Sequence, residues 1–353
     1  MVVTRVQRDS NAELLRIICM FFIVLHHFLV NSAFPGTLSM SVPLDSGIVV
    51  STFANGFLFV GVICFVLISG YYGIHLHLRG VWRLFSMVAF YGLAIYLVDI
   101  CVVHQRIDYS VVTQSILIFS HSWWWFLNCY VMLMCLSPLL NSGIENMSQN
   151  EHLIVIGLLT LLQVYFGFFW QTYQYDSDGF SIINMIYIYA IGAYIRRYLS
   201  KRYLSDHRWH WLAFYIVCAL VWAVLTILAH GRLSMSWWKG FTYNNPVMIC
   251  SAIGLFLFVM SFHFVSKPVN MFAGGVFAVY LVQESTKVKG QLYGCVRQMC
   301  EGHDVCGRFT LVLVLSIAFV AAILMFDRLR VILMGPIDKL IFKGKWDHSL
   351  KTK

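Results

Sequence analysis

The first apolar run of the chain carries two side chains that lipid contact does not tolerate. Arg16 and His27 interrupt the segment between Glu13 and Phe28, which is otherwise built from Leu, Ile, Phe, Met, Val and Cys apart from His26. Ionisable residues inside a membrane segment mark function by default. An α-helix advances about 100° per residue, so His27, eleven positions after Arg16, returns to within about 20° of its face, while His26 falls about 80° away. The axial separation of Arg16 and His27 is about 16 Å at 1.5 Å per residue, too far for a hydrogen bond, so the pair would serve one groove at two depths. The planar guanidinium of Arg16 suits phosphate oxygens, and the imidazole of His27 suits a base acting on a reacting hydroxyl. A plainer reading has Arg16 snorkelling to the interface and His27 as a packing residue. Their shared face weighs against it.

The elements that must hold these residues are membrane spans. Of the 353 residues, 59% are hydrophobic and only 12% charged, and the mean hydropathy is +0.74. Ordinary soluble domains carry roughly 25% charged residues, so a water-soluble fold is excluded. Nucleic acid is not an expected partner: the net charge of +9 comes from basic residues lying between apolar runs, not gathered on a polar surface. The expected fold is all-α, a polytopic integral membrane protein. At about 20 apolar residues per span, ten transmembrane helices are read near 14–31, 54–74, 81–103, 123–140, 152–170, 181–199, 209–229, 245–265, 270–286 and 309–327. The first is read as a retained span, not a signal peptide, because it is long and contains Arg16. The stretches 47–53 and 111–120 read as re-entrant or interfacial, and Pro138 and Pro246 as helix ends or kinks.

With the N-terminus inside, 18 of the 25 Lys and Arg residues fall on the inner side, as cytoplasmic loops require. An even number of spans returns the C-terminus to the cytoplasm. The chain divides into a membrane domain over 1–335 and a basic tail over 336–353, with no internal repeat. Of the ten cysteines, Cys295, Cys300 and Cys306 share one polar loop, where a single disulfide is one reading and free thiols the other.

These features resemble the acyltransferase 3 family of membrane-bound acyltransferases. Its members carry an arginine, ten residues and then a histidine in the first span, as Arg16 and His27 do here, followed by Phe28. Phe59-Val60-Gly61 through Ser69-Gly70-Tyr71 is similar to the end of the family's second span. Trp125, Phe126, Leu127, Asn128, Tyr130, Ser137, Pro138 and Asn141 are similar to its Trp-Phe-Leu, Tyr, Pro and Asn series. The resemblance covers nearly the whole chain. It implies transfer of an acyl group, usually acetyl, from cytosolic acyl-CoA (acetyl-CoA) as co-substrate to a hydroxyl of a surface polysaccharide or lipid-linked sugar, at the inner (plasma) membrane. Arg16 would then help bind the coenzyme phosphates, and His27 would be the base or would carry the acyl group briefly. The family often has a basic pair two residues apart after the second span. Here Arg79 and Arg83 are four apart, still on one helix face and able to hold phosphates. The family's late Tyr-Leu-Ile-His reads Tyr280-Leu281-Val282-Gln283, so no titrating group stands at Gln283, and neither it nor Glu284 is assigned a catalytic role.

On the outer side, His121 beside Trp123, Trp124 and Trp125 is a candidate sugar cradle, with Asn128 and Tyr130, although an interfacial aromatic belt explains the tryptophans equally. Asp99 lies within the third span. His75 and His77, without an acid or thiol nearby, do not make a metal site, and none is expected. No zinc spacing, phosphate-binding loop, dinucleotide fingerprint or serine elbow is present in the sequence. The expected activity is O-acetyl transfer. The rival readings are a secondary transporter or flippase, whose internal pseudo-symmetry is not seen here, and the same fold acting as a succinyl or N-acyl transferase.

Overall fold

The computed structural model describes residues 9–39, 42–103, 124–171, 178–231 and 238–341, and these form helices and connecting loops with no strand among them. α1 (Ser10–Phe28) runs directly into a π-helical turn at Leu29–Ala33. α2 (Ser46–Leu58) starts at Asp45, whose carboxylate accepts from the Ile48 amide and so satisfies one of the open N–H groups of the first turn. α3 (Gly61–Tyr72) follows after two residues, and Ser46–Tyr72 makes one long span. The 47–53 stretch is therefore the first half of a span, not a separate re-entrant piece. Next come α4 (Leu78–Val103), α5 (Trp125–Asn146), α6 (Gln149–Thr160), which a π-helical segment extends over Leu161–Phe169, and α7 (Ile182–Tyr198). The chain continues through α8 (Lys201–Asp206), α9 (Arg208–Gly231), α10 (Pro246–Met260), α11 (Lys267–Ala273), α12 (Val276–Gln283), α13 (Lys289–Cys300) and α14 (Val305–Ile341). Pro246 opens α10, where its missing N–H costs nothing, behind an Asn245 cap. Pro138 lies inside α5.

Among the described residues seven helices are long and apolar enough to cross a membrane. The other three expected spans fall on shorter elements. α7 has 17 residues and α10 has 15, and the segment read as the ninth span is divided into α11 and α12. Gly274 and Gly275 interrupt the helix, and a Cβ on Gly275 would lie 2.8 Å from Asp327 Oδ2. That carboxylate is buried in α14 with Arg330, Nε to Oδ1 2.6 Å, and accepts from the Tyr91 hydroxyl of α4 at 3.1 Å. Arg330 is thus a buried ion-pair partner, not a flanking surface charge. Gly275→Ala is expected to displace this network and destabilise the protein by about 2 kcal/mol, as overpacking does, read as a lower melting temperature in detergent. An unchanged melting temperature would mean the break tolerates a methyl group.

α1 and the α2–α3 span form the interior. Their most apolar windows are 56% and 61% buried, against 22–28% for the other five spans. The outer helices turn apolar residues outward, such as Val217, Val221 and Val224 on α9 and Ile317, Met325 and Ile332 on α14, as a lipid-facing surface requires. Most polar residues of α1 are therefore shielded by protein. Ser10, Asn11, Glu13 and His26 are all buried. α1 packs on α2, α3, α10, α11, α12 and α14, and belongs to one apolar cluster through Ala12, Leu15 and Cys19 and to a second through Met20, Val24 and Phe28.

Candidate active site

The helical period sets the floor of the site. Arg16, Met20, Ile23 and His27 follow at steps of four, three and four, which keeps them on one side of α1. Met20, Ile23 and His27 line a cavity that opens to the surface, about 500 Å³ when its solvent-filled mouth is included. Val62 and Phe65 of α3 and Phe277 of α12 add apolar wall, and Trp125, Phe126, Tyr243 and Tyr280 add aromatic wall. Glu284, just past the end of α12, brings a carboxylate to the lining beside the His27 imidazole. The walls are braced from behind. Tyr243 stacks on Phe59 with ring centres 4.8 Å apart and on Trp125 at 5.4 Å, and the Tyr280 hydroxyl accepts from the Phe126 amide at 3.3 Å.

His27 is the penultimate residue of α1. The π turn begins two residues later, and the Asn31 side chain donates to the His27 carbonyl at 2.9 Å. Such widened turns are frequent at functional positions. His27 Nδ1 lies 3.3 Å from Gln283 Oε1 and 3.3 Å from Glu284 Oε1. Glu284 Oε1 also accepts from the Tyr293 hydroxyl of α13 at 2.8 Å, and Oε2 lies 4.0 Å from Lys289 Nζ. Burial first, then the neighbouring Glu284 charge and the bond to it, push the Tyr293 phenol far above its ordinary range, so it stays a donor.

His26 does different work. Its Nδ1 pairs with Asn55 Oδ1 at 2.5 Å, and its ring packs on Phe59 and Phe241 at 5.1 and 5.9 Å. It is a buried tie between α1 and α2. His26→Ala is expected to leave the Asn55 carbonyl without this partner and to destabilise the fold by about 2–3 kcal/mol, with turnover per folded molecule changed far less than at His27. A melting curve and an assay normalised to folded protein check both parts.

Arg16 Nη1 donates to Glu13 Oε1 at 2.8 Å, with the arginine side chain 31% exposed and the glutamate 9%. Arg79 and Arg83 sit exposed at the start of α4. Arg83 reaches the Gly274 break, and α11, just before that break, is tied to the start of α1 by Ser10 Oγ donating to Asn270 Oδ1 at 2.8 Å. All three arginines therefore stand at the end of the bundle where α1 begins. Of the outer candidates, Trp125 lines the cavity. Tyr130 stacks behind Phe126 at 6.0 Å, and Asn128, on the same helix, is not among the lining residues. His121 and the side chain of Asp99 lie outside the described residues. Asn141 has a bracing role: it donates to the Ile74 carbonyl at 2.8 Å and accepts from the Tyr189 hydroxyl at 2.6 Å. All ten cysteines are free, and Cys300 is buried in the core instead of bridged.

Four participants escaped the motif reading. Glu284 was visible as a rare acid near a span end, yet its partner His27 is far away in sequence. Tyr243 lies in a short loop before α10, and Lys289 and Tyr293 lie on a helix inside what reads as a polar loop. No spacing rule reaches them. No curated protein and no solved structure matches the chain significantly. A family model described as an acyltransferase domain matches residues 9–327, and with nine-tenths of its length so covered, this multi-pass membrane chain belongs to the acyltransferase 3 family.

Proposed function

We propose that the protein moves an acetyl group from acetyl-CoA to a sugar hydroxyl of a surface polysaccharide or lipid-linked glycan in the inner (plasma) membrane. The observation that carries the reading is that His27 lines a mostly apolar cavity with Met20 and Ile23, on the helix face that also carries Arg16, which is not itself a lining residue. The roughly 16 Å between Arg16 and His27 suits an extended pantetheine arm, with phosphates held by Arg16 and, further out, by Arg79 and Arg83. An apolar wall suits the thioester and acyl methyl. Trp125 offers an aromatic face to the acceptor sugar from the other wall.

In the proposed step His27 takes the proton from the acceptor hydroxyl as its oxygen attacks the thioester carbonyl. The new C–O bond forms and the C–S bond breaks. The proton on the imidazolium passes to the departing sulfur, giving the O-acetyl ester and free coenzyme thiol. The coenzyme enters from the cytosolic side, which the charge distribution of the loops assigns to the start of α1.

The experiment is mass spectrometry of surface glycans from cells with and without the gene. Acetyl groups present only in the first sample support the reading and name the hydroxyl. Identical glycans, together with no loss of acetyl-CoA when the purified protein is offered those glycans, would overturn it. Succinyl-CoA and amine acceptors belong in the same panel, because they test the neighbouring reaction classes directly.

A further inference from the structure

His27 Nδ1 faces two oxygens. Gln283 Oε1 and Glu284 Oε1 each lie 3.3 Å away. The Gln283 amide is oriented by its other end, where Nε2 approaches the Val24 carbonyl at 3.5 Å. Glu284 faces donors on its far side: the Tyr293 hydroxyl at 2.8 Å from Oε1 and the Lys289 ammonium at 4.0 Å from Oε2. An imidazole nitrogen placed between two acceptors carries the hydrogen, and the lone pair then sits on the other nitrogen.

The carboxylate is itself held in place from outside the core. α13, which brings Tyr293, is fastened to the π turn that follows His27. Ser32 Oγ donates to the Tyr293 carbonyl at 3.1 Å, and Arg297 Nη2 donates to the Asn31 carbonyl at 2.8 Å. Asn31 in turn holds the His27 carbonyl. The contacts close a ring running from His27 through Glu284 and Tyr293 back to the turn after His27. A ring of this kind fixes both the position and the rotation of the imidazole.

We propose that Glu284, held by Tyr293 of α13, is the positioning residue of His27: it keeps the hydrogen on Nδ1, leaves Nε2 as the basic atom available to a molecule in the cavity, and stabilises the imidazolium that forms when Nε2 takes the acceptor proton. This rests on His27 being the base. No proton passes through Glu284, since the proton arrives at Nε2 and leaves from Nε2 to the coenzyme sulfur. Gln283 shares the orienting role but lacks the charge, so it cannot stabilise the imidazolium in the same way.

The test uses the full-length protein in detergent and two readouts. The first needs neither coenzyme nor glycan: carboxymethylation of His27 by bromoacetate, with the modified peptide found by mass spectrometry and the isomer identified against synthetic standards. Wild-type protein is expected to react at Nε2. In Glu284→Gln the amide can turn and donate, so the reaction slows by about fivefold or more and the Nδ1 isomer appears, as expected for a histidine that has lost its orienting carboxylate. Tyr293→Phe, a milder change that keeps the ring, is expected to show the same trend at about two- to threefold. The second readout is acetyl transfer, where Glu284→Gln lowers kcat by about 10- to 30-fold and leaves KM for acetyl-CoA unchanged. Wild-type reaction at Nδ1, or Glu284→Gln protein that reacts at the wild-type rate on the same nitrogen, overturns the proposal. Should the protein transfer no acyl group at all, the carboxymethylation result still decides the role of Glu284, and the failure belongs to the acetyltransferase reading alone.

Discussion

Replacing His27 by alanine is expected to lower kcat for acetyl transfer by about 10³-fold, in the middle of the 10²–10⁴ range for loss of a general base, while the protein folds and inserts normally. The side chain is partly exposed to the cavity and not packed tight, its charged-group contacts being to Glu284 at a side-chain exposure of 23% against 19%, so truncation leaves no large apolar void. KM for acetyl-CoA should stay near the wild-type value, because the apolar floor at Met20 and Ile23 and the arginines remain. His27→Gln keeps a hydrogen-bonding side chain but no base, and should be as inactive as the alanine variant. The check is a steady-state assay with protein quantified by its folded fraction. Turnover within threefold of wild type would remove His27 from the chemistry.

Arg16→Gln should act on the coenzyme instead. Losing charge-assisted hydrogen bonds to phosphate costs about 2–3 kcal/mol, which raises KM for acetyl-CoA by about 30- to 150-fold with kcat at saturation little changed. The contact between Arg16 and Glu13 complicates the single variant. Removing the guanidinium from a buried carboxylate destabilises the fold in its own right. The double change Glu13→Gln with Arg16→Gln separates the two effects: the melting temperature recovers and the KM defect persists. A double variant whose KM returns to the wild-type value would show that Arg16 holds Glu13 and nothing else.

The site was legible where chemistry and helical period coincide. Arg16 and His27 are rare types for a span, and a step of eleven residues returns to the same helix face. That reasoning also fixes Met20 and Ile23 as the residues between them, and both line the cavity. His26 was separated from His27 by the same phase, and it packs on Asn55 and Phe59. Glu284 was out of reach because contact between α1 and α12 depends on how helices more than 250 residues apart in sequence are arranged, the Gln283 contact spanning 256 positions. Nothing in local hydropathy encodes that arrangement.

Spans were legible as apolar runs, but their lengths were not. A window of apolar residues reads the same in a full crossing helix and in a shorter one enclosed by others, as with α10. The close packing at the break between α11 and α12 involves Asp327, which lies more than a full helix away in sequence and fills the space beside Gly275. α13 was hidden for the opposite reason: its sequence is polar enough to pass for a loop, and only its docking on the π turn reveals it as the helix that steadies Glu284.

The most direct measurement of His27 as the transfer base is the entry of radiolabel from acetyl-CoA into glycan, using membranes that hold equal amounts of folded wild-type or His27→Ala protein and the glycan of the same cells. Label entering the glycan with wild-type protein, and falling about 10³-fold with His27→Ala, is the expected result. Equal labelling by the two proteins would contradict it.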